Sequence, residues 1–323
     1  MDKHACNIEH SNIIDRSCIY TEFPLLVTSF PYAAMEGLIS SLWLDKTSRN
    51  EAEWKLFCAE FPRRHQAIHH LLQKDVFTEH SYRRPRGYAG DADLIDIIYD
   101  MNPAGSEGVG KSIFSYLIRT RAPQAVRERR KIASDFISKT IQSRRESARI
   151  CSIASGHARE LEPIFNSPTS NGCNTFQFDA HDQDNKSLLK ILKKFGNVNI
   201  QTRQQSVVEW IKGRSLNEKY DLIYSLGLFD YLEKRVAIAL VRSAWKSVAP
   251  NGKLVIANFI GNFIDIAYME ACMNWWLIYR TSDEMEALLK EVNRNEIDKI
   301  NIFKDSLSMV TYVEIIKRDT CEL

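Results

Sequence analysis

The stretch RICSIASGHARE, residues 149–160, decides the fold of this chain. Its first half, Arg149–Ala154, is a short apolar run typical of a buried strand. Gly156 follows, and because glycine has no Cβ the main chain can turn tightly there and approach a ligand closely. A helical pattern, Ala158–Phe165, comes next. We therefore predict a strand, a glycine turn and a helix, which together begin a βαβ fold.

The same alternation continues along the chain. Four more apolar runs predict the strands Thr175–His181, Val198–Thr202, Tyr220–Ser225 and Lys253–Phe259. The amphipathic stretches between and after them predict the helices Asn185–Phe195, Val207–Lys212, Glu233–Val248, Ile264–Tyr279 and Asp283–Val292. Two final runs predict an antiparallel strand pair, Glu296–Phe303 and Met309–Lys317. This alternation indicates a mostly parallel sheet covered by helices.

Before this region the apolar residues recur at helical spacing, as at Leu38, Ile39 and Leu42. We predict an all-helical region at residues 1–147, which covers the ligand and shapes the substrate pocket. A seven-stranded, Rossmann-like, doubly wound α/β domain is predicted at residues 148–323. In such a sheet the ligand lies at the carboxyl ends of the strands, at the switch point of the strand order.

Composition limits the class of protein. The 323 residues include 43 Lys and Arg against 41 Asp and Glu, which gives a net charge of +2. A dedicated nucleic-acid binder usually has a strong basic excess, so we expect no nucleic-acid partner. We expect no membrane span because no apolar run reaches about 18 residues. We expect a cytoplasmic protein with reduced thiols, because the sequence shows no apolar leader and no C-x-x-C pair. A homodimer remains a possible assembly.

The loops after the first two predicted strands contain candidate ligand-binding residues. Ser155, Gly156 and Glu160 belong to the first loop, where helix N–H groups can meet a carboxylate. Asp182, with Gln183 beside it, ends the second strand, where an acidic residue holds a ribose diol. Asp179 is an alternative for that role, whereas Asp184 is placed to cap the next helix.

The next two loops continue this pattern. Gln205, Ser206 and Val207 follow the third strand, where side-chain or main-chain groups can meet an adenine edge. Leu226 and Gly227 follow the fourth strand, and a glycine between apolar residues suits packing under a flat ligand. The glycine turn, the acidic residue and these two loops, in this order, indicate a nucleoside-containing cofactor.

Residues 148–259 resemble a class I S-adenosylmethionine (SAM)-dependent methyltransferase. Five motifs occur in one order: RPRGYAGD (84–91), AVRERR (125–130), GHARE (156–160), GLFDYL (227–232) and WWLIYR (275–280). The set resembles the bacterial family associated with biosynthesis of the extracellular factor 3-hydroxypalmitic acid methyl ester. The resemblance covers about 82–317 and implies SAM as methyl donor. It also implies carboxyl O-methylation of a hydroxy fatty acid.

Methyl transfer requires in-line alignment and exclusion of water more than covalent help. Residues expected to orient the acceptor or accept its proton are Tyr88, Asp91, Asp230, Tyr231 and Asn258. Asp91 and Asp230 can instead be helix caps. Residues expected to bind substrate are Arg86, Trp276, Tyr279 and Arg280, and Arg127 is expected to reach the cofactor. Either arginine, Arg86 or Arg280, can clamp the substrate or the methionine carboxylate. The other basic residues of 127–131 are expected to form a solvated helix face.

Three other readings remain open. An N-methyltransferase acting on an amino-acid-like or guanidino small molecule would use a nearby carboxylate or tyrosine as proton acceptor. GSEGVGKS, residues 105–112, matches the phosphate-binding P-loop pattern, so a P-loop nucleotide-binding protein is the second alternative. A non-catalytic SAM-binding protein is the third, because the first loop has only one glycine. No metal is expected, since His65 and His69 lack a third ligand pattern.

Overall fold

The structure is a computed structural model that describes residues 16–144, 148–166, 176–196, 199–213 and 218–319. The chain divides into two compact units. The helical unit contains residues 16–83, 103–117 and 264–274, and the sheet unit contains residues 84–102, 118–263 and 275–319 as far as the structure describes them. The boundary predicted at residue 147 stays a prediction.

The described residues of the helical unit form seven helices. They are α1 (Arg16–Ser29), α2 (Pro31–Thr47), α3 (Glu51–Arg64), α4 (Gln66–Leu72), α5 (Val76–Arg83), α7 (Gly110–Leu117) and α13 (Asp265–Ala271). Asn50 begins α3 with a capping box, in which its side chain accepts from Glu53 N and the Glu53 carboxylate accepts from Asn50 N. Phe23, Leu38 and Phe61 are fully buried in this unit.

The sheet unit contains seven strands. They are β1 (Ala148–Ile153), β2 (Phe176–Asp182), β3 (Ile200–Gln204), β4 (Tyr220–Ser225), β5 (Val248–Phe259), β6 (Ile297–Lys304) and β7 (Val310–Lys317). Their order across the sheet is β3-β2-β1-β4-β5-β7-β6. The first five strands are parallel, and β7 pairs antiparallel with β5 and β6. The predicted Rossmann-like α/β sheet is confirmed, and its order reverses beside β1 and β4.

Helices of the sheet unit flank these strands. They are α6 (Ala92–Asp100), α8 (Arg121–Arg144), α9 (Glu162–Phe165), α10 (Asn185–Phe195), α11 (Val207–Ile211), α12 (Lys234–Lys246) and α14 (Ser282–Glu286). Trp210, Tyr220 and Phe229 are buried in the core between α11, α12 and the sheet. Among the described helices, none combines the length and the apolar character needed to cross a bilayer.

One predicted helix is wrong over half its length. Residues 264–279 were expected to be helical throughout, but α13 ends at Ala271 and Trp275–Arg280 are not helical. The main chain of this segment bonds to distant partners instead: Ile278 N donates to Asp230 O at 2.7 Å, and Arg280 N donates to Phe259 O at 3.1 Å. Such non-local bonds leave no periodic signal in the sequence.

Candidate active site

A cavity of about 510 Å³ opens at the carboxyl ends of the central strands. The loops that follow β1, β2, β3 and β4 line it, together with residues of α6 and α8. Every lining residue belongs to the sheet unit. This is where the strand order reverses, and ligands of open α/β sheets bind at such a crevice.

Asp182 ties together the loops after β1 and β2. Its Oδ2 accepts from the main-chain N of Gly156, and its Oδ1 accepts from the N of Asp184, both at 2.8 Å. Asp182 is buried, and this burial raises the pKa of its carboxyl. Each carboxylate oxygen has a further lone pair, so Asp182 can still accept from a ligand hydroxyl.

The loop after β1 has an unusual main-chain conformation. Ala154, Gly156 and Ala158 all have positive φ, at 57°, 53° and 48°. Only glycine adopts this region without steric cost, and strained residues of this kind concentrate at binding sites. The buried hydroxyl of Ser155 has no hydrogen-bond partner among the described residues. A polar ligand in the cavity would supply that partner.

Most of the sequence-predicted cofactor residues line the cavity together. They are Ser155, Gly156, Glu160, Asp182, Gln183, Gln205, Val207, Leu226 and Gly227. Glu160 is buried, accepts from the Tyr224 hydroxyl at 2.5 Å, and has a carboxyl pKa that burial raises. These residues supply an acidic group, amides and apolar contacts, a set that fits a nucleoside cofactor.

Two predicted cofactor residues lie outside the cavity lining. Ser206 is the N-cap of α11, where its hydroxyl accepts from Glu209 N. The Arg127 guanidinium donates to the carbonyl of Ile98 at 3.4 Å. Both side chains therefore serve contacts within the protein.

Three of the five predicted catalytic residues line the cavity: Tyr88, Asp230 and Tyr231. Asp230 Oδ1 accepts from Phe259 N at 2.7 Å, and burial raises the pKa of its carboxyl to about 6. The Tyr231 hydroxyl accepts from Trp275 Nε1 at 2.8 Å. Burial raises the pKa of both Tyr88 and Tyr231, so both phenols are neutral at pH 7.

The side chains of the other two predicted catalytic residues, Asp91 and Asn258, make hydrogen bonds within the protein. Asp91 is the N-cap of α6 and accepts from Leu94 N at 2.9 Å. The amide of Asn258 donates to the carbonyl of Ile278 at 2.8 Å, and its oxygen accepts from Arg280 at 2.6 Å. Neither side chain lines the cavity.

The four predicted substrate-binding residues also lie outside the cavity lining. The Arg86 guanidinium forms ion pairs with Asp93 and Asp184. Arg280 donates to Phe229 O at 2.6 Å and to Asn258. These partners occupy both guanidinium groups, which are therefore unavailable to an anionic ligand. Trp276 and Tyr279 belong to the non-helical segment that precedes Arg280.

Sequence reasoning missed two arginines that line the cavity, Arg129 and Arg130. Arg130 pairs with Glu162 at 2.7 Å. Arg129 is buried on the same face of α8 as Ala125, Val126 and Ala133. These three apolar residues lie three or four positions from Arg129, which is the spacing of one helix face. That spacing is the sequence signal that could have predicted a buried position for Arg129.

A charge cluster lies beside the cavity. The ligand-type atoms of Asp93, Asp96 and His157 lie within 4.8 Å of one another. His157 Nδ1 is 2.8 Å from Asp96 Oδ2, and the Arg159 guanidinium donates to Asp96 Oδ1 at 3.0 Å. Basic side chains already pair with these carboxylates. We therefore interpret the cluster as an ion-pair network and assign no metal ion to it.

The alternative that residues 105–112 form a P-loop lacks the structural context that this motif requires. A P-loop follows a strand, whereas here α6 precedes the segment. Its donors are also occupied: Glu107 N donates to Lys74 O at 3.0 Å, and Gly110 N donates to Glu107 O at 2.8 Å. Any Cβ on Gly110 would lie 2.0 Å from Lys74 O, so this glycine lets the start of α7 approach the main chain between α4 and α5.

The strand order β3-β2-β1-β4-β5-β7-β6, with β7 antiparallel to its neighbours, is the Rossmann-like seven-stranded fold that the resemblance implied. No protein-family model matches the sequence, and no curated protein matches it. The structure is similar to that of a possible exported protein from Bordetella parapertussis, with a TM-score of 0.57 and 15% identity. That alignment covers 96% of this chain and 99% of the other, so the two share a fold over nearly their whole length.

Two methyltransferase structures also match, over a smaller part of this chain. Magnesium protoporphyrin IX methyltransferase from Synechocystis PCC 6803 has a TM-score of 0.44 and 11% identity, covering 61% of this chain and 87% of that one. The N-methyltransferase NodS from Bradyrhizobium japonicum WM9 has a TM-score of 0.40 and 11% identity, covering 59% and 97%. At these TM-scores neither likeness supports an argument about activity.

Proposed function

We propose that this protein is a SAM-dependent methyltransferase that acts on a small-molecule acceptor. The observation that carries the proposal is the position of Asp182, held by the N–H groups of Gly156 and Asp184 at the switch point of the sheet. A buried acidic residue at this point suits the ribose diol of a nucleoside cofactor.

The chain's own residues would hold this cofactor in a definite order. Asp182 would accept from the ribose hydroxyls, Gln205 and Val207 would meet the adenine, and Ser155 and Gly156 of the loop after β1 would complete the site; all five residues line the cavity. When bound, SAM supplies an electrophilic methyl group on sulfur. The protein has to exclude water and align the acceptor with that methyl group.

Asp230 decides which acceptor atom we favour. Its buried carboxylate lines the cavity on the β4 side, and its pKa of about 6 suits a proton acceptor at neutral pH. An amine needs such a group, whereas a carboxylate acceptor needs none. We therefore favour N-methylation of a small molecule over carboxyl O-methylation of a hydroxy fatty acid. The cavity of about 510 Å³ also has to accommodate the cofactor, which favours a small acceptor.

A reducing, cytoplasmic location belongs to the same proposal. Cys58, Cys151 and Cys272 are buried thiols that form no disulfide within the part of the chain that the structure describes. Unpaired cysteines of this kind are typical of proteins kept in a reducing compartment.

The proposal is tested by incubating the full-length protein with SAM and a panel of small amines, amino acids and carboxylic acids that includes a 3-hydroxy fatty acid. We expect formation of S-adenosylhomocysteine (SAH) that depends on an amine and is lost in Asp182→Ala. Turnover with the fatty acid alone would contradict the preference for nitrogen. SAM binding without turnover of any acceptor would favour a non-catalytic SAM-binding protein.

A further inference from the structure

Arg129 is a buried cation with its donors left open to the cavity. Its guanidinium is about 10% exposed and lines the cavity. Its one ion-pair contact among the described residues is Asp230 Oδ2, 3.8 Å from Nη1, which is too long for a hydrogen bond. Burying a charge without hydrogen bonds is costly, so a ligand that supplies acceptors would be bound strongly there.

The cavity that Arg129 lines provides the space for such a ligand. Gly227 lies beside the guanidinium, and a Cβ added there would be 3.4 Å from Arg129 Nη2. The guanidinium lies 5.9 Å from the centre of the Phe259 ring. Its five N–H donors form a planar fork that matches the two oxygens of a carboxylate. The structure therefore holds one cavity arginine that is ready for bidentate binding of a carboxylate.

The position of Arg129 indicates which carboxylate it would bind. Gly227 and Asp230 follow β4, and Phe259 ends β5, whereas Asp182 and Gln205 follow β2 and β3 on the opposite side of the switch point. Adjacent strands are about 4.8 Å apart, so β4 and β5 lie roughly 10 Å and 14 Å from β2. Arg129 therefore lies on the acceptor side of the cavity, next to the proposed proton acceptor.

We propose that the acceptor is a free α-amino acid, whose carboxylate binds Arg129 while its amine faces Asp230. This inference rests on the proposed function and narrows it to one substrate class. The amine and the carboxylate of an α-amino acid share one carbon, so a single small molecule reaches both side chains across their 3.8 Å gap.

The reaction that follows is balanced with SAM as the co-substrate. The carboxylate of Asp230 takes a proton from the ammonium group of the bound amino acid, which leaves a neutral amine. The amine nitrogen forms a bond to the methyl carbon, and the carbon–sulfur bond breaks with its electron pair going to sulfur. SAH and the N-methylammonium product then leave. Arg129 changes no bond and acts by orienting the acceptor.

The test measures SAH formation by the full-length protein with each of the 20 common L-amino acids, their amides and the decarboxylated amines. Arg129→Met removes the charge at similar length, and Arg129→Lys keeps the charge without the fork. Lys131→Met, at an exposed position of the same helix, is the matched control. We expect turnover of at least one amino acid. Its KM should rise 10- to 100-fold in Arg129→Met, less in Arg129→Lys, and remain unchanged in Lys131→Met.

Binding measurements separate this inference from its alternatives. We expect SAH and 5′-methylthioadenosine, which lacks the amino-acid part of SAH, to bind all three variants within threefold of wild type. A loss of SAH affinity in Arg129→Met with unchanged binding of 5′-methylthioadenosine would assign Arg129 to the cofactor and overturn the inference. Turnover of amides as fast as of acids, or of none of the 20 amino acids by a protein that binds SAH, would also overturn it. Failure of wild type to bind SAH would instead overturn the proposed function.

Discussion

The main-chain N–H of Gly156 donates to Oδ2 of Asp182 across 2.8 Å. This bond joins the turn after β1 to the end of β2, two segments that are neighbours because β1 and β2 pair in parallel. It fixes the glycine turn against the one acidic side chain proposed to hold the ribose. The main-chain conformation of the turn and the affinity for the cofactor should therefore change together.

Gly156→Ala tests this link. At φ 53° an alanine is strained, so we expect a loss of about 1 kcal/mol in unfolding free energy and weaker SAH binding. Ala154→Gly is the matched control, because Ala154 has φ 57° and glycine relieves its strain. That variant should be as stable as wild type or up to about 1 kcal/mol more stable. Denaturant unfolding and SAH titration of the two variants check these expectations. An equal loss of stability in both would contradict the role of glycine at position 156.

Asp230 gives the reaction a predicted pH dependence. The carboxyl has to be ionised to accept a proton, and its pKa is raised by burial to about 6. The rate of methyl transfer to an amine should therefore rise with pH through about 6 and level off above it. In Asp230→Asn this rise should disappear and kcat should fall by about 10²- to 10⁴-fold, with SAH affinity nearly unchanged. A wild-type rate that stays constant from pH 5 to 8 would argue against Asp230 as the proton acceptor.

Gly90 makes room for two aromatic side chains at the cavity. A Cβ at this position would lie 2.2 Å from the Tyr231 hydroxyl and 3.0 Å from Trp275 Cζ2. Gly90→Ala should therefore displace Tyr231 and Trp275 and lower kcat/KM by at least tenfold. Gly261→Ala is the control, since its Cβ would meet Tyr279 at an ordinary 3.4 Å. Steady-state kinetics of both variants test this expectation. Similar kcat/KM values for Gly90→Ala and wild type would show that the positions of Tyr231 and Trp275 do not affect methyl transfer.

Glu270 supports the helical unit. Lys46 Nζ and Trp54 Nε1 donate to its Oε2 at 2.5 and 2.6 Å. Glu270→Ala leaves both donors without this acceptor, so we expect a loss of about 2–3 kcal/mol in unfolding free energy. Glu51→Ala, which breaks the exposed pair with Lys55, should leave the denaturant midpoint unchanged. Equal midpoints for Glu270→Ala and Glu51→Ala would contradict the structural role of Glu270.

The sheet and part of the site could be predicted from sequence because both depend on local patterns. Short apolar runs defined the strands, and the rule that strand ends converge brought Gly156 and Asp182 together. Local patterns could not predict which arginine side chains remain able to bind a ligand and which are bonded within the protein. Arg86 is paired with Asp184, far along the chain, and Arg280 is bonded to Phe229, which follows β4, and to Asn258 in β5. Arg129 was missed because a basic run suggests a solvated face, although its neighbours on the helix are apolar.

Calorimetric titration of the wild-type protein with SAM, and separately with ATP, tests the central claim most directly when it is repeated on Asp182→Ala. We expect micromolar binding of SAM to wild type, a loss of at least about 30-fold in Asp182→Ala, and no binding of ATP. Binding of SAM that is equally tight in Asp182→Ala would contradict the role of that carboxylate. Binding of ATP with no binding of SAM would contradict the methyltransferase assignment itself.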